Sequence, residues 1–270
     1  MQSIREAMTR NNANFNIVRL TLSFIVMISH ALGAALLIPL GGEKFNPATF
    51  SVYCFFGISG FLIAGSVERS SPATYLTRRA MRLYPGYWVA ISITAFLFAP
   101  LSLYSVAKDI RFDDLKNVIF GANGAVYYVL NNLSLLINQN RIGPTPAAEL
   151  VVASTWNASL WTLAHELFCY AHLLLLNLTG LLRKRWPVLL MATALWACLV
   201  LTTILLPKAW VIYPTIYRLV LFNSIFLYGA AIWIYRAELP NSFALAVACS
   251  ALYFASLWLP IGEKSIFMHT

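Results

Sequence analysis

Apolar residues in this chain fall in long runs separated by short polar or turn-rich pieces. A helix of roughly 20 apolar residues at 1.5 Å each crosses a hydrocarbon core of about 30 Å. Seven runs approach or exceed that length: residues 16–40, 49–67, 85–103, 159–182, 188–206, 213–235 and 242–260. The pieces between them carry the punctuation. GGEKFNP reads as a turn after the first run, ERSSPATYLTRRAMR (68–82) as a basic inner loop, and Arg183, Lys184 and Arg185 close the fourth run. A mixed stretch from 104 to 157 has balanced charge (Lys108, Asp109, Arg111, Asp113, Asp114, Lys116). Its semi-apolar piece, 125–137, is interrupted by Asn131 and Asn132, and the pattern predicts an interfacial or re-entrant helix there. The whole is expected to be all-α: a polytopic transmembrane helix bundle forming one integral membrane domain over residues 1–270.

Composition supports that reading and excludes a soluble globular chain. Hydrophobic residues make up 60% of the sequence, charged residues 11%, and mean hydropathy is +0.70. A net charge of +9 would point to nucleic acid in a soluble domain. In a membrane protein it reflects the positive-inside bias and contact with anionic lipid, so the expected partner is the bilayer and not a nucleic acid. Basic residues concentrate in the polar lead-in (Arg5, Arg10), at 68–82 and at 183–185, which puts the N-terminus in the cytoplasm. The first run is too long and too polar at its middle for a cleaved signal segment, so it is expected to remain as the first span. Cys54, Cys169, Cys198 and Cys249 sit inside apolar runs without metal-type spacing, so they read as small core residues, with neither a disulfide nor a metal site expected.

The first run contains two polar side chains that hydrocarbon does not welcome, Arg19 and His30. Eleven residues at about 100° each make three turns plus about 20°, which places both on one helix face roughly 16 Å apart along the axis. Arg19 alone could snorkel to the interface. His30 lies too deep for that, and ionisable groups inside a span tend to face a bundle interior, a cavity or a substrate path. In the second run, Gly57, Gly60 and Gly65 leave room for close helix contact. Arg78 and Arg82 stand four apart and Arg79 and Arg82 three apart, so on a helix they form a basic ridge suited to bidentate phosphate binding. The cluster 157–166, NASLWTLAHE, places the carboxylate of Glu166 about two turns into the fourth span, where it suits proton transfer or the holding of a histidine, or pairing with Arg218 of a later span. His165 and His172, seven apart, lack a third ligand for a metal.

Four motifs in order carry a resemblance: Arg19 and His30 eleven apart, FFGISGFLI at 55–63, RRAMRLYPGYW at 78–88 and SLWTLAHE at 159–166. Together they resemble the acyltransferase type 3 family of integral membrane O-acyltransferases. The resemblance implies transfer of an acyl group, usually acetyl, from acyl-CoA on the cytoplasmic side of a bacterial inner membrane to a hydroxyl of a cell-envelope or exported glycan. It implies Arg19, His30 and Glu166 as catalytic residues, Arg78, Arg79 and Arg82 as the acetyl-CoA-binding arginines, and Trp161 and Asn157 as substrate-binding positions, with no metal. Family members usually have about ten spans and a late Tyr-x-x-His-Pro type pattern, so this chain is expected to lack the last spans. Two other readings stand beside it: a transporter with a His30, Glu166 and Arg218 relay, and an inactive remnant of a longer acyltransferase.

Overall fold

The computed structural model describes residues 3–8, 13–36, 45–104, 110–143, 145, 156–206, 208–242, 244, 247 and 248. Most of these residues are helical and none lies in a strand. Six helices are long and apolar enough to cross a membrane: Phe15–Leu32, Pro47–Val67, Pro72–Leu103, Ser159–Leu178, Trp186–Leu205 and Pro214–Ile234. The all-α transmembrane expectation is met. The seventh expected span, 242–260, lies almost entirely outside the described residues, as do residues 37–40 of the first. The chain divides into two compact units. One comprises residues 1–32, 40–72 and 169–270, the other 33–39 and 73–168.

The first unit is built on α3 (Pro47–Val67), α9 (Trp186–Leu205) and α11 (Pro214–Ile234), with residues 13–32 of α2 (Ala13–Leu36), the later turns of α8 (Thr162–Leu178) and the short α10 (Ala209–Ile212). Asn46 caps α3 by accepting from the Ala48 and Thr49 amides at 2.9 and 3.2 Å, and Pro47 occupies the first turn, where its missing N–H costs nothing. Between α3 and α11 the glycines act as expected. A Cβ on Gly60 would lie 1.9 Å from the Phe226 carbonyl oxygen, and one on Gly229 would lie 2.0 Å from that of Gly57. Only bare Cα atoms permit this approach. Aromatic pairs close the seam on either side: Phe56 stacks on Phe222 at 4.4 Å, and Phe61 meets Trp233 edge-on at 5.5 Å. His172 of α8 is hydrogen-bonded through Nδ1 to Asn223 Oδ1 of α11 at 3.0 Å, which satisfies a buried amide.

In the second unit the arginine-rich segment departs from expectation. Residues 68–82 are not a loop: only Glu68–Ser71 separate α3 from α4 (Pro72–Ile93), and Arg78, Arg79 and Arg82 stand on the early turns of α4. Pro72 supplies a favourable first turn, and the sequence after it has good helix formers. The helix continues through Pro85, so the span expected over 85–103 begins earlier, at Pro72. One π turn, Thr94–Phe98, marked by the Ala99 N–H bonding the Thr94 carbonyl, joins α4 to α5 (Ala99–Leu103). Buried side chains recur mostly every fourth residue: Tyr75, Leu83, Tyr87, Ile91, Ala95, Ala99 and Leu103.

The mixed stretch folds into α6 (Phe112–Phe120) and α7 (Ala125–Asn131). Asp113 and Asp114 occupy the first turn of α6, where the helix dipole favours acids. The two asparagines that interrupt the apolar piece are its anchors. Asn132 is fully buried, donates to the Gln139 carbonyl at 2.8 Å and accepts from the Asn138 and Gln139 amides at 2.8 and 3.0 Å, while Asn131 donates to Gln139 Oε1 at 2.9 Å. Side-chain amides that outcompete the helix backbone end α7 here. The Tyr87 hydroxyl donates to the Asn132 carbonyl at 2.5 Å and ties this loop to α4.

Candidate functional site

Arg19 does not snorkel. It is 9% exposed, directed at α3, with Nη2 donating to Ser59 Oγ at 3.2 Å and the guanidinium carbon 4.7 Å from the centroid of the Phe55 ring. Phe55 and Ser59 are four apart and share one face of α3, while Gly57 and Gly60 lie on the roughly opposite face that meets α11. The motif FFGISGFLI therefore has two jobs set by its spacing: glycines for α11, and a ring and a hydroxyl for the buried cation of α2. A charged donor buried in a span needs such a partner. Phe15 adds a second tie, 5.5 Å from Phe61.

His30 is exposed. It lies farther along the face on which Arg19 and Leu22 are buried, and at its level that face is exposed. A fixed cation below and an accessible imidazole above, on one face, are what this helix presents.

In the second unit, Arg78 and Arg82 are exposed one turn apart on α4, and Arg79 is half-buried with its guanidinium 5.7 Å from the Tyr75 ring centroid. The basic ridge expected from the spacing exists on a helix. The Trp-centred cluster is reached through a hydrogen-bonded chain that begins at the π turn. Thr94 Oγ1 donates to Asn157 Oδ1 at 3.0 Å, and Asn157 Nδ2 donates to the Tyr128 hydroxyl at 3.0 Å. Tyr128 is fully buried, and burial pushes its phenol pKa up, which keeps it a neutral donor and acceptor. Asn157 itself is left-handed (φ 56°, ψ 41°), a conformation asparagine tolerates better than most residues, and it opens the 3₁₀ turn Ala158–Trp161 that leads into α8.

Past that turn, the His165 ring stands edge-on to Trp161, 5.2 Å between centroids, and its Nδ1 lies 3.1 Å from the Trp161 carbonyl oxygen. A carbonyl only accepts, so Nδ1 carries the proton and a neutral ring has its lone pair on Nε2. His165 and Glu166 are both buried, Glu166 at 5% exposure. The structure thus brings Arg19 together with the 55–63 motif in one unit, and Asn157 together with Trp161, His165 and Glu166 in the other. Sequence reading missed Ser59, Thr94 and Tyr128. Ser59 was accessible as the residue one turn beyond Phe55, opposite the glycine face; the π turn at Thr94 has no signature in the sequence.

Comparison with known proteins agrees with the four motifs. The family model described as an acyltransferase domain, that of the type 3 acyltransferases, matches residues 12–268. Nodulation protein 10 of Rhizobium leguminosarum bv. viciae is 28% identical over 193 residues, 67% of this chain and 48% of that protein. An O-acetyl transferase of Shigella phage Sf6 is 28% identical over 168 residues, 58% of this chain and 43% of that protein. The chain thus spans about half the length of the curated relatives it matches. No solved structure matches. With nearly all of its length covered by the family model, a buried Arg19 in the first span and a buried Glu166 on the helix after Trp161, this chain belongs to the acyltransferase type 3 family.

Proposed function

We propose that the protein is a membrane O-acyltransferase that moves an acetyl group from acetyl-CoA to a hydroxyl of a cell-envelope or exported glycan, with the N-terminus and the basic helix ends on the cytoplasmic side of a bacterial inner membrane. The observation that carries the reading is Arg19, buried against Phe55 and Ser59, with His30 exposed farther along the same helix face. In this reading the His30 imidazole takes the proton of the acceptor hydroxyl as its oxygen attacks the thioester carbonyl carbon. The carbon–sulfur bond breaks, and the proton returns to the departing sulfur, so CoA leaves as the thiol.

The helix geometry separates the roles of the pair. About 16 Å of axial rise lies between Arg19 and His30, and side chains lean toward the helix N-terminus, so Arg19 cannot reach an oxyanion forming at His30. It suits instead a charge on the donor far from the thioester, a separation that the pantetheine arm of CoA naturally provides. Arg78, Arg79 and Arg82 offer guanidinium forks to the CoA phosphates. Glu166, with Trp161 and His165, supports acceptor binding or proton transfer. Asn157, whose amide is engaged by Thr94 and Tyr128, acts by holding the turn before Trp161.

The experiment uses membranes carrying the full chain, radiolabelled acetyl-CoA and the host's envelope glycan. Label enters the glycan with wild-type protein and falls at least about 100-fold, the scale of a lost general base, with His30→Ala at equal expression. Wild-type transfer by His30→Ala ends the assignment of the base, and transfer absent with the wild-type chain ends the proposed activity.

A further inference from the structure

One end of the first unit collects positive charge in a way that topology does not require. The short helix α1 (Ile4–Met8) is strapped to the segment after α11 by backbone hydrogen bonds, Ile4 N–H to the Leu239 carbonyl and Arg5 N–H to the Arg236 carbonyl, both 3.1 Å, beside a bridge between Ser3 and Pro240. Arg5 is thereby held beside Arg236. Arg69 arrives from the end of α3. Both Arg69 and Arg236 face a single indole: their guanidinium carbons lie 5.7 and 3.9 Å from the Trp233 ring centroid. Trp233 belongs to the last turn of α11, is 7% exposed, and is wedged by its six-membered edge against Gly65, where a Cβ would lie 2.4 Å from Cζ2.

Arginines that serve only as a topology signal spread into solvent and repel one another. Here backbone bonds and a shared aromatic platform hold three together. Burial works against the charged form of Arg236, the charges of Arg5 and Arg69 add to that, and Glu68 and Glu238 oppose it. Among the described residues, Glu238 makes a 2.6 Å ion pair with Arg185, and Arg236 donates through Nη1 to the Trp233 carbonyl at 2.6 Å. A second observation marks the same place as incomplete: the Trp233 indole nitrogen is buried and has no acceptor among the described residues.

We propose that Arg5, Arg69 and Arg236, arranged around Trp233, form a binding site for a phosphate ester, occupied by the headgroup of an anionic phospholipid of the inner leaflet. Guanidinium forks match phosphate oxygens. A tryptophan in the last turn of a membrane-length helix sits at headgroup depth, and basic residues beside the cytoplasmic leaflet are drawn to anionic lipid. The bound headgroup would balance the charge gathered there and fasten the N-terminal strap, α3 and α11 at one point. The site lies apart in the chain from Arg78, Arg79 and Arg82 and does not depend on the acyltransfer reading.

The test is native mass spectrometry of the full chain, purified in detergent and offered phosphatidylglycerol or phosphatidylcholine. The wild type is expected to retain one phosphatidylglycerol in preference to phosphatidylcholine. Each arginine near an anionic surface contributes a factor of roughly five, so Arg69→Gln with Arg236→Gln should weaken retention about 20-fold or more, and Arg5→Gln about fivefold. Lys208→Gln, an exposed cation at the other end of α9, should leave it unchanged. Arg69→Lys with Arg236→Lys keeps the charge but loses the fork, and its intermediate retention with an unaltered melting temperature separates recognition from folding. Adenosine 3′,5′-bisphosphate supplies a soluble phosphate ester: failure to displace the lipid supports the headgroup, whereas displacement at equal concentration overturns the lipid assignment in favour of a soluble nucleotide. Equal retention of the two lipids by the wild type, or undiminished retention by the double glutamine variant, overturns the site.

Discussion

Gly60→Ala is the substitution whose cost the structure sets most directly. The new methyl group would lie 1.9 Å from the Phe226 carbonyl oxygen and 2.8 Å from its carbonyl carbon, both backbone atoms of α11 that no rotamer change can move. Contacts under 3.0 Å are essentially never seen for a real Cβ, so α3 and α11 must part by about 1 Å at this level. Over-packing of a filled interior costs about 1–3 kcal/mol, and a clash with backbone belongs at the upper end. At about 2–4 °C per kcal/mol for a chain of this size, about 3 kcal/mol should lower the melting temperature by roughly 6–12 °C. Because Ser59 is the preceding residue, the shift also pulls the hydroxyl that Arg19 bonds, and acyl transfer should fall with it. The assay is thermal unfolding of purified protein in detergent, read against Gly86→Ala. A Cβ on Gly86 meets nothing within 4 Å, and exchanging Gly for Ala within a helix gains about 0.5–1 kcal/mol, so that variant should be neutral or slightly more stable. Equal melting temperatures for the two would refute the tight α3–α11 seam.

Asn157→Ala should cost about 2–3 kcal/mol, from two lost hydrogen bonds at about 1 kcal/mol each and a left-handed backbone that alanine resists. Asn157→Gly relieves the backbone term alone, so thermal unfolding of the pair separates the two contributions. Arg185 beside Glu238 holds that carboxyl below its ordinary value of 4.5. The folded state then binds the proton more weakly than the unfolded chain, so this contribution is present at neutral pH and is lost as pH drops below about 4.5 and through the depressed value. Arg185→Gln should remove that segment of the stability profile, with a small amplitude because the pair is exposed. Ser59→Val, which leaves Arg19 without its hydroxyl acceptor inside a span, should lower the melting temperature and weaken transfer together, by about 1–3 kcal/mol in stability; a Ser59→Val protein that matches wild type in both would remove Ser59 from the site.

The sequence by itself determined the class of the molecule. Runs such as 49–67 and 188–206 can satisfy their backbone polar groups in a membrane only as helices, so composition and run length suffice. It also placed Arg19 and His30 on one face, because α-helical periodicity needs no partner to be read. It did not reveal that 72–82 would be helix instead of loop, because the charge of an arginine speaks only of side, not of conformation. Asn131 and Asn132 were legible as an interruption but not as the anchors of the loop through Gln139, since the identity of a hydrogen-bond partner is a matter of three-dimensional approach. The same holds for Thr94, Asn157 and Tyr128, separated by up to 63 residues and joined only once a π turn redirects Thr94. Tertiary structure alone decided that Arg19 would be buried against Phe55 and Ser59 and that His30 would be open: periodicity assigns both to one face, but only the packing of a second helix determines how far along that face the cover extends.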